Sequence, residues 1–302
     1  MRFNLTQEDL DEHFTGPAFL PWGRMGNLRG WGGPLTPHWH KMQVELQHKI
    51  LKRMRSLGMI PVLPAFGGQV PAGFVRLFPN SSFTKENWLN FDNKLSGSYL
   101  LSPLDPMFQQ IASVFIKEQT KEFGTNHIYA CDTFNEMTPK NNTPIYLSSI
   151  AKAVYEGMAK ADPEAVWMMQ GWLFLETDFW KDEQIEAYLT AVPLGKMLIL
   201  DLDSTNREQY TRTKSYYGQP FIFNMIHTFG GQLAMFGRKT SINERPFEAR
   251  SMPGSSMVGT GFAPEGIHNS YVVYDLLSEM SWRQEPVMDL TKWFQVIIEF
   301  GT

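Results

Sequence analysis

Two glutamates stand where short apolar runs give way to turns. Glu136 closes Ile128-Tyr129-Ala130-Cys131-Asp132-Thr133-Phe134-Asn135-Glu136, and Glu265 follows Met257-Val258-Gly259-Thr260-Gly261-Phe262-Ala263-Pro264. In both, a β-prone run delivers a carboxylate at the expected end of a strand. Two carboxylates on one rim suit glycoside hydrolysis: one protonates the departing oxygen, the other acts at the sugar carbon. A lone Glu is more often a solvated loop charge. The Asn135-Glu136 pair and the Pro264-Glu265-Gly266 turn, both at strand ends, favour chemistry.

Other chemically able residues sit at similar points. Trp172, Asp201, Asp203 and His227 each follow an apolar run. Asp201 and Asp203 either bind sugar hydroxyls or cap the next helix. His38-Trp39-His40 resembles half a metal site, but further ligands at usable spacing are lacking, so no metal is expected. The single cysteine, Cys131, reads as a small buried hydrophobe rather than a nucleophile. No phosphate-cradling glycine loop or nucleophile elbow is apparent, so no cofactor is expected.

The elements that must position these residues alternate. His40–Leu57 carries Met42, Leu46, Ile50 and Met54 on one helical face, with Gly58 as the stop. A strand over 59–66 follows. Asp105-Pro106 starts a helix carrying Phe108, Ile111 and Phe115, which Gly124 ends. The rhythm repeats with a helix over 145–161 (Leu147, Ile150, Val154 and Met158 inward), a strand over 165–172, a helix over 182–189 and a strand over 196–203. A weaker helix over 207–215, a strand over 220–227, the Glu265 strand and a helix over 269–282 complete it. Such strands, alternating with helices, imply a parallel sheet. Nearly every strand offers a candidate at its C-terminal end, which points to a (β/α)8 TIM barrel rather than a doubly wound sheet. Six strands are countable, so the barrel is expected to be incomplete, with about six of eight.

The chain has 302 residues, net charge -4, and 9 Trp, 10 Tyr and 22 Phe. That is a globular profile with no basic footprint for nucleic acid. No segment is long enough for a membrane span, and the polar Met1–Thr6 start gives no expectation of a signal peptide. Sequons at Asn4, Asn80 and Asn141 are candidate glycosylation sites on a secretory route. Residues 1–37, rich in Gly, Pro and aromatics, read as a long loop with short helices, which in a barrel is usually functional.

Several of these segments resemble the lysosomal alpha-N-acetylglucosaminidases, glycoside hydrolase family 89. They are Phe14-Thr15-Gly16-Pro17-Ala18-Phe19-Leu20-Pro21-Trp22-Gly23-Arg24-Met25-Gly26-Asn27-Leu28, residues 59–66, Asp132-Thr133-Phe134-Asn135-Glu136-Met137, Gln170-Gly171-Trp172 and Val258-Gly259-Thr260-Gly261-Phe262-Ala263-Pro264-Glu265-Gly266. The motifs are collinear over about residues 5–293. The resemblance implies a retaining exo-glycosidase, with Glu136 as acid/base and Glu265 as nucleophile, acting on terminal alpha-linked N-acetylglucosamine at the non-reducing ends of heparan sulfate. A retaining pair sits about 5–5.5 Å apart. The substrate's own acetamido group closes a ring only on the alpha face, which an alpha-linked leaving group occupies, so an enzyme carboxylate is required.

The resemblance further implies that Trp22, Asn135 and Trp172 line the sugar pocket; core packing for the tryptophans and a strand-end turn for Asn135 are the competing readings. Asp201 and His227 are the remaining substrate-binding candidates. A lysosomal location, glycosylation and homo-oligomerisation are implied by the family alone. One departure is Thr228, where the family usually has Asn. Residues 1–293 are thus expected to form a partial barrel and 294–302 a divergent tail, whose Phe294–Phe300 stretch is apolar and β-prone. The alternative reading is an inactive chain that at most binds sugar or a partner subunit.

Overall fold

The computed structural model describes residues 3–85, 87–88, 91–227, 237–265 and 270–300. Its strands are β1 (Leu63–Pro64), β2 (Gln69–Val70), β3 (Phe83–Lys85), β4 (Tyr99–Leu101), β5 (Ile128–Ala130), β6 (Val166–Gln170), β7 (Met197–Asp201), β8 (Phe221–Ile226) and β9 (Met257–Ala263). Six form one sheet in the order β1-β5-β6-β7-β8-β9, and β2-β4-β3 form a second. The six-stranded sheet pairs in parallel and alternates with helices, as expected of a TIM-barrel domain. The chain divides into two compact units, Met1–Met168 and Met169–Thr302, with the boundary inside β6.

In the first unit two helices carry most of the core. Asp105 caps helix Pro106–Phe123, its side chain accepting from the Met107 amide at 2.9 Å; Gly124 ends it with positive φ. Phe108, Ile111 and Ile116 are buried, whereas Phe115, expected inward, is exposed. Helix Pro144–Ala159 buries Leu147, Ile150, Val154 and Met158 on one face, as the spacing predicts. Helix Pro37–Ser56 differs. It begins one turn earlier than expected because Thr36 accepts from the Trp39 amide at 3.1 Å, and it takes up His38 and His40. Its apolar residues Met42, Leu46 and Ile50 stay exposed, and only Leu51 is buried. The period predicts a helix correctly but cannot say whether a partner lies against its face.

The antiparallel sheet β2-β4-β3 was not readable, because strands of two or three residues show no period-2 pattern. In the second unit, β8 and β9 lie close enough to require glycine. A Cβ on Gly261 would stand 2.1 Å from Asn224 Oδ1. Helix Lys239–Ser251 contains Pro246 and shows no apolar stripe, which explains why periodicity misses it. The helix expected near 207–215 does not form: a short helix, Ser204–Arg207, precedes it, and residues 208–215 run through loop and turns. The β-prone tail is helical, Leu290–Phe300: Asp289 Oδ1 accepts from the Lys292 amide at 3.0 Å, so an N-cap outweighs the β-branched run Val296-Ile297-Ile298. No helix among the described residues is long and apolar enough to cross a membrane.

Candidate active site

The surroundings of Glu136 are built from the glycine-rich N-terminal segment. The short helix Leu20–Arg24 ends at Met25, and Gly26 turns the chain with φ 79°. The Asn27 amide then donates to Trp22 O at 2.9 Å and the Gly26 amide to Gly23 O at 3.2 Å. This is the Schellman pairing, in which the residue after the left-handed glycine bonds back five residues. A side chain other than hydrogen at residue 26 would strain that conformation. The turn swings Asn27 inward, where it is 1% exposed. Its Nδ2 donates to Glu136 Oε2 at 3.1 Å.

A second donor reaches the same oxygen. Trp88 Nε1 lies 2.6 Å from Glu136 Oε2. Arg29 ties the two donor-bearing loops together. Its backbone amide donates to Leu95 O at 2.9 Å, its Nε to Ser96 O at 3.0 Å, and its guanidinium pairs with Glu12. Aromatic rings fill the space between, running from Trp22 through Phe19, Trp31 and Phe91 to Trp88. Trp22, a candidate pocket wall, sits in this chain of rings with its indole partly exposed.

Glu136 itself lies six residues beyond β5, in a bend rather than at the strand end, and is exposed. The intervening chain is pinned: the Cys131 amide donates to Met168 O at 3.1 Å, and Trp167 Nε1 donates to Cys131 O at 2.7 Å. Asn135 is buried. Burial and the Asp132 charge push the Cys131 thiol up to about 12, so it is inert as a nucleophile at neutral pH.

In the second unit the candidates separate into different roles. Trp172 follows β6, and the Arg207 guanidinium lies over its ring at 4.9 Å. Asp203 Oδ2 holds Arg207 Nε at 2.8 Å and Asn206 Nδ2 at 3.2 Å. Asp203 is the N-cap residue of Ser204–Arg207, but its side chain binds these side chains, not the first-turn amides. Asp201, at the end of β7, is 1% exposed; its Oδ2 accepts from the amides of Gln209 and Tyr210 at 3.0 and 2.9 Å. Burial pushes its carboxyl up to about 7, against the pull of these two amides and of the Tyr216 hydroxyl. It anchors the loop that follows β7. His227 directly follows β8, buried, with its ring edge on Tyr274 at 5.8 Å; burial lowers its basicity. Thr228 lies outside the described residues. Glu265 is two residues past β9 and exposed.

Among the described residues, then, the first unit gathers Asn27, Trp88 and Glu136, with Trp22 at the start of the ring chain. The second gathers Trp172, Arg207 and Asp203, with Asp201 turned to its own loop. The described residues include no cluster of three or more His, Cys, Asp or Glu fit to hold a metal ion.

The model of the "Alpha-N-acetylglucosaminidase (NAGLU) tim-barrel domain" matches residues 1–284. The chain belongs to the alpha-N-acetylglucosaminidase family. Human alpha-N-acetylglucosaminidase is 52% identical over 295 residues, 97% of this chain and 40% of the human protein. The chain thus spans less than half the length of that relative. Among solved structures, a family 89 glycoside hydrolase from Clostridium perfringens in complex with PUGNAc superposes with a TM-score of 0.86 at 27% identity, over 99% of this chain and 33% of that one. A double glutamate-to-glutamine form of the Clostridium perfringens enzyme, in complex with its substrate GlcNAc-alpha-1,4-galactose, gives 0.87 at 26%, with the same coverage of both chains. Asn27, Trp88 and Arg207 were not singled out from sequence. The Gly26-Asn27 step carries a helix-stop signal that could have marked the turn, but the partner of Asn27 is 109 residues away.

Proposed function

We propose that this chain carries the two catalytic carboxylates of a retaining alpha-N-acetylglucosaminidase. Glu136 starts protonated and gives its proton to the glycosidic oxygen as the bond to the anomeric carbon breaks. Glu265 attacks that carbon from the opposite face, forming a glycosyl-enzyme ester. Glu136, now a carboxylate, takes a proton from water, and the resulting hydroxide displaces Glu265. Trp22, Asn135, Trp172 and His227 are the proposed sugar contacts, and Asp201 serves them by fixing the loop after β7. The observation that carries the reading is the setting of Glu136: one carboxyl oxygen is fixed by two N–H donors while the side chain stays open to solvent. The related Clostridium perfringens enzyme, trapped on its substrate with two glutamates changed to glutamine, supports a two-glutamate mechanism.

The preferred natural substrate is the non-reducing end of heparan sulfate, and the setting is the lysosome. The sequon residues Asn4, Asn80 and Asn141 are all exposed, which suits glycan attachment on the way there. A panel of chromogenic alpha- and beta-N-acetylglucosaminides, with the first-formed anomer read by NMR, tests the reaction. The proposal expects turnover of the alpha-glycoside with release of the alpha-anomer. Release of the beta-anomer overturns retention, and sugar binding without turnover favours the inactive reading.

A further inference from the structure

Glu136 Oε2 receives both Asn27 Nδ2 and Trp88 Nε1. A carboxylate oxygen offers two lone-pair sites, so these two N–H donors saturate it. Oε1 has no hydrogen-bond donor among the described residues. The holders are themselves immobilised. Asn27 is enclosed, with its backbone fixed by the Schellman turn and by the Leu28 amide bonding to Trp22 O at 3.3 Å. Trp88 packs on Phe91 with ring centres 5.5 Å apart, and Phe91 on Trp31 at the same distance.

Asn27 Oδ1 is buried with no hydrogen-bond partner among the described residues. An unpaired buried amide oxygen costs about 1–3 kcal/mol. The opposite amide rotamer would turn that oxygen towards the carboxylate, so the fold bears an unpaired oxygen in order to aim the N–H at Glu136. Unpaired polar atoms retained in native cores call for such an explanation.

We propose that Asn27 and Trp88 are positioning residues that assign the two oxygens of Glu136 different tasks. Oε2 is the anchored acceptor, and Oε1 carries the proton that passes to the glycosidic oxygen. The assignment of that proton transfer rests on the glycosidase reading above; the hydrogen-bond geometry does not. Loss of either donor frees the carboxyl to rotate, so that the acidic oxygen no longer faces the leaving group for most of the time.

The test has two arms. In ¹⁵N-labelled protein the Trp88 indole N–H resonance, assigned by its disappearance in Trp88→Phe, is expected downfield of the other indoles. It should move upfield in Glu136→Gln and in Asn27→Ala. In the kinetic arm, Asn27→Ala should lower kcat on a glycoside with a poor leaving group by about 10- to 100-fold, while an activated aryl glycoside loses less than about threefold and KM holds. Asn27→Ser, which keeps a short hydrogen-bonding side chain, should recover part of the loss. A Trp88 indole at an ordinary shift that ignores Glu136→Gln overturns the geometry. Equal losses on both substrates overturn the positioning role, because general destabilisation does not sense the leaving group. The indole arm needs no turnover and uses the unmutated protein as its reference. It therefore separates failure of this proposal from failure of the glycosidase reading, and Glu136→Gln, isosteric and at an exposed position, keeps it readable where Asn27→Ala folds poorly.

Discussion

Asp201 closes one parallel strand and Glu136 lies beyond the end of another, and their hydrogen-bond donors differ in origin. Asp201 takes the backbone amides of Gln209 and Tyr210, with the Tyr216 hydroxyl of the same following loop, and is sealed from solvent. Glu136 takes side-chain donors, Asn27 and Trp88, and remains exposed. Backbone donors tie a carboxylate to the path of its own loop, so Asp201 shapes the chain after β7. Side-chain donors from remote loops orient a carboxylate without closing it off, so Glu136 stays open to solvent. Asp162, at the opposite ends of β5 and β6, gives a third case. It accepts from Tyr129 Oη at 2.6 Å, His127 Nδ1 at 2.8 Å and the Glu164 amide at 3.0 Å, which suits the stability-bearing end of such a sheet.

The largest effect that could break this comparison is pH-dependent stability at Asp201. Its folded-state value of about 7 lies above the ordinary aspartate range. The unfolded chain therefore gives up this proton first as pH rises, and stability falls between about pH 4 and pH 7. Asp201→Asn, which mimics the neutral form, should match wild type near pH 4 and gain on it by up to about 4 kcal/mol at pH 7. Urea melts across that range check this, and a constant difference contradicts it. Asp162 should act with the opposite sign. Burial raises its carboxyl, but the bonds from Tyr129, His127 and the Glu164 amide outweigh it and hold it below the usual range. Its contribution is present above the unfolded-state value and is lost as the solution is acidified through the folded one, a loss absent from Asp162→Asn.

A somewhat smaller effect sharpens the contrast between backbone and side-chain donors. Near pH 4, Asp201→Ala should cost about 2–3 kcal/mol by leaving two buried amides unpaired. Glu136→Ala should cost less, about 1 kcal/mol, since it unpairs the Asn27 amide but opens an exposed position through which water can reach it. Equal losses in chemical denaturation would erase the distinction. Smallest is the Arg207 clamp on Trp172. Arg207→Ala should cost about 0.5–2 kcal/mol and change Trp172 fluorescence, and Arg207→Lys should recover only part, having lost the planar guanidinium and its Nε donor to Asp203. An unchanged emission spectrum would show that the guanidinium does not rest on that ring.

Much of this was legible in the sequence for definite reasons. Helix Pro144–Ala159 was readable because Leu147, Ile150, Val154 and Met158 recur on one face, and they are buried. Helix Pro106–Phe123 was readable from its Asp-Pro start and its glycine stop. The parallel sheet followed from apolar runs that alternate with helices. What stayed hidden depends on contacts far apart in sequence. The exposed face of helix Pro37–Ser56 has the same period as a buried one. The donors of Glu136 lie 109 and 48 residues away, and no local pattern links them. Asp201 and Asp203 looked alike from sequence, and only the amides of Gln209 and Tyr210 set them apart.

The central claim is that Glu136 handles the leaving group while Glu265 attacks the sugar. Kinetics of Glu136→Gln and Glu265→Gln in the whole enzyme, over a series of alpha-N-acetylglucosaminides of graded leaving-group acidity, test it most directly. The account predicts that Glu136→Gln nearly spares the most activated glycosides and loses about 10²- to 10⁴-fold on the least activated, whereas Glu265→Gln loses turnover across the series. Two variants with the same dependence on the leaving group would contradict it.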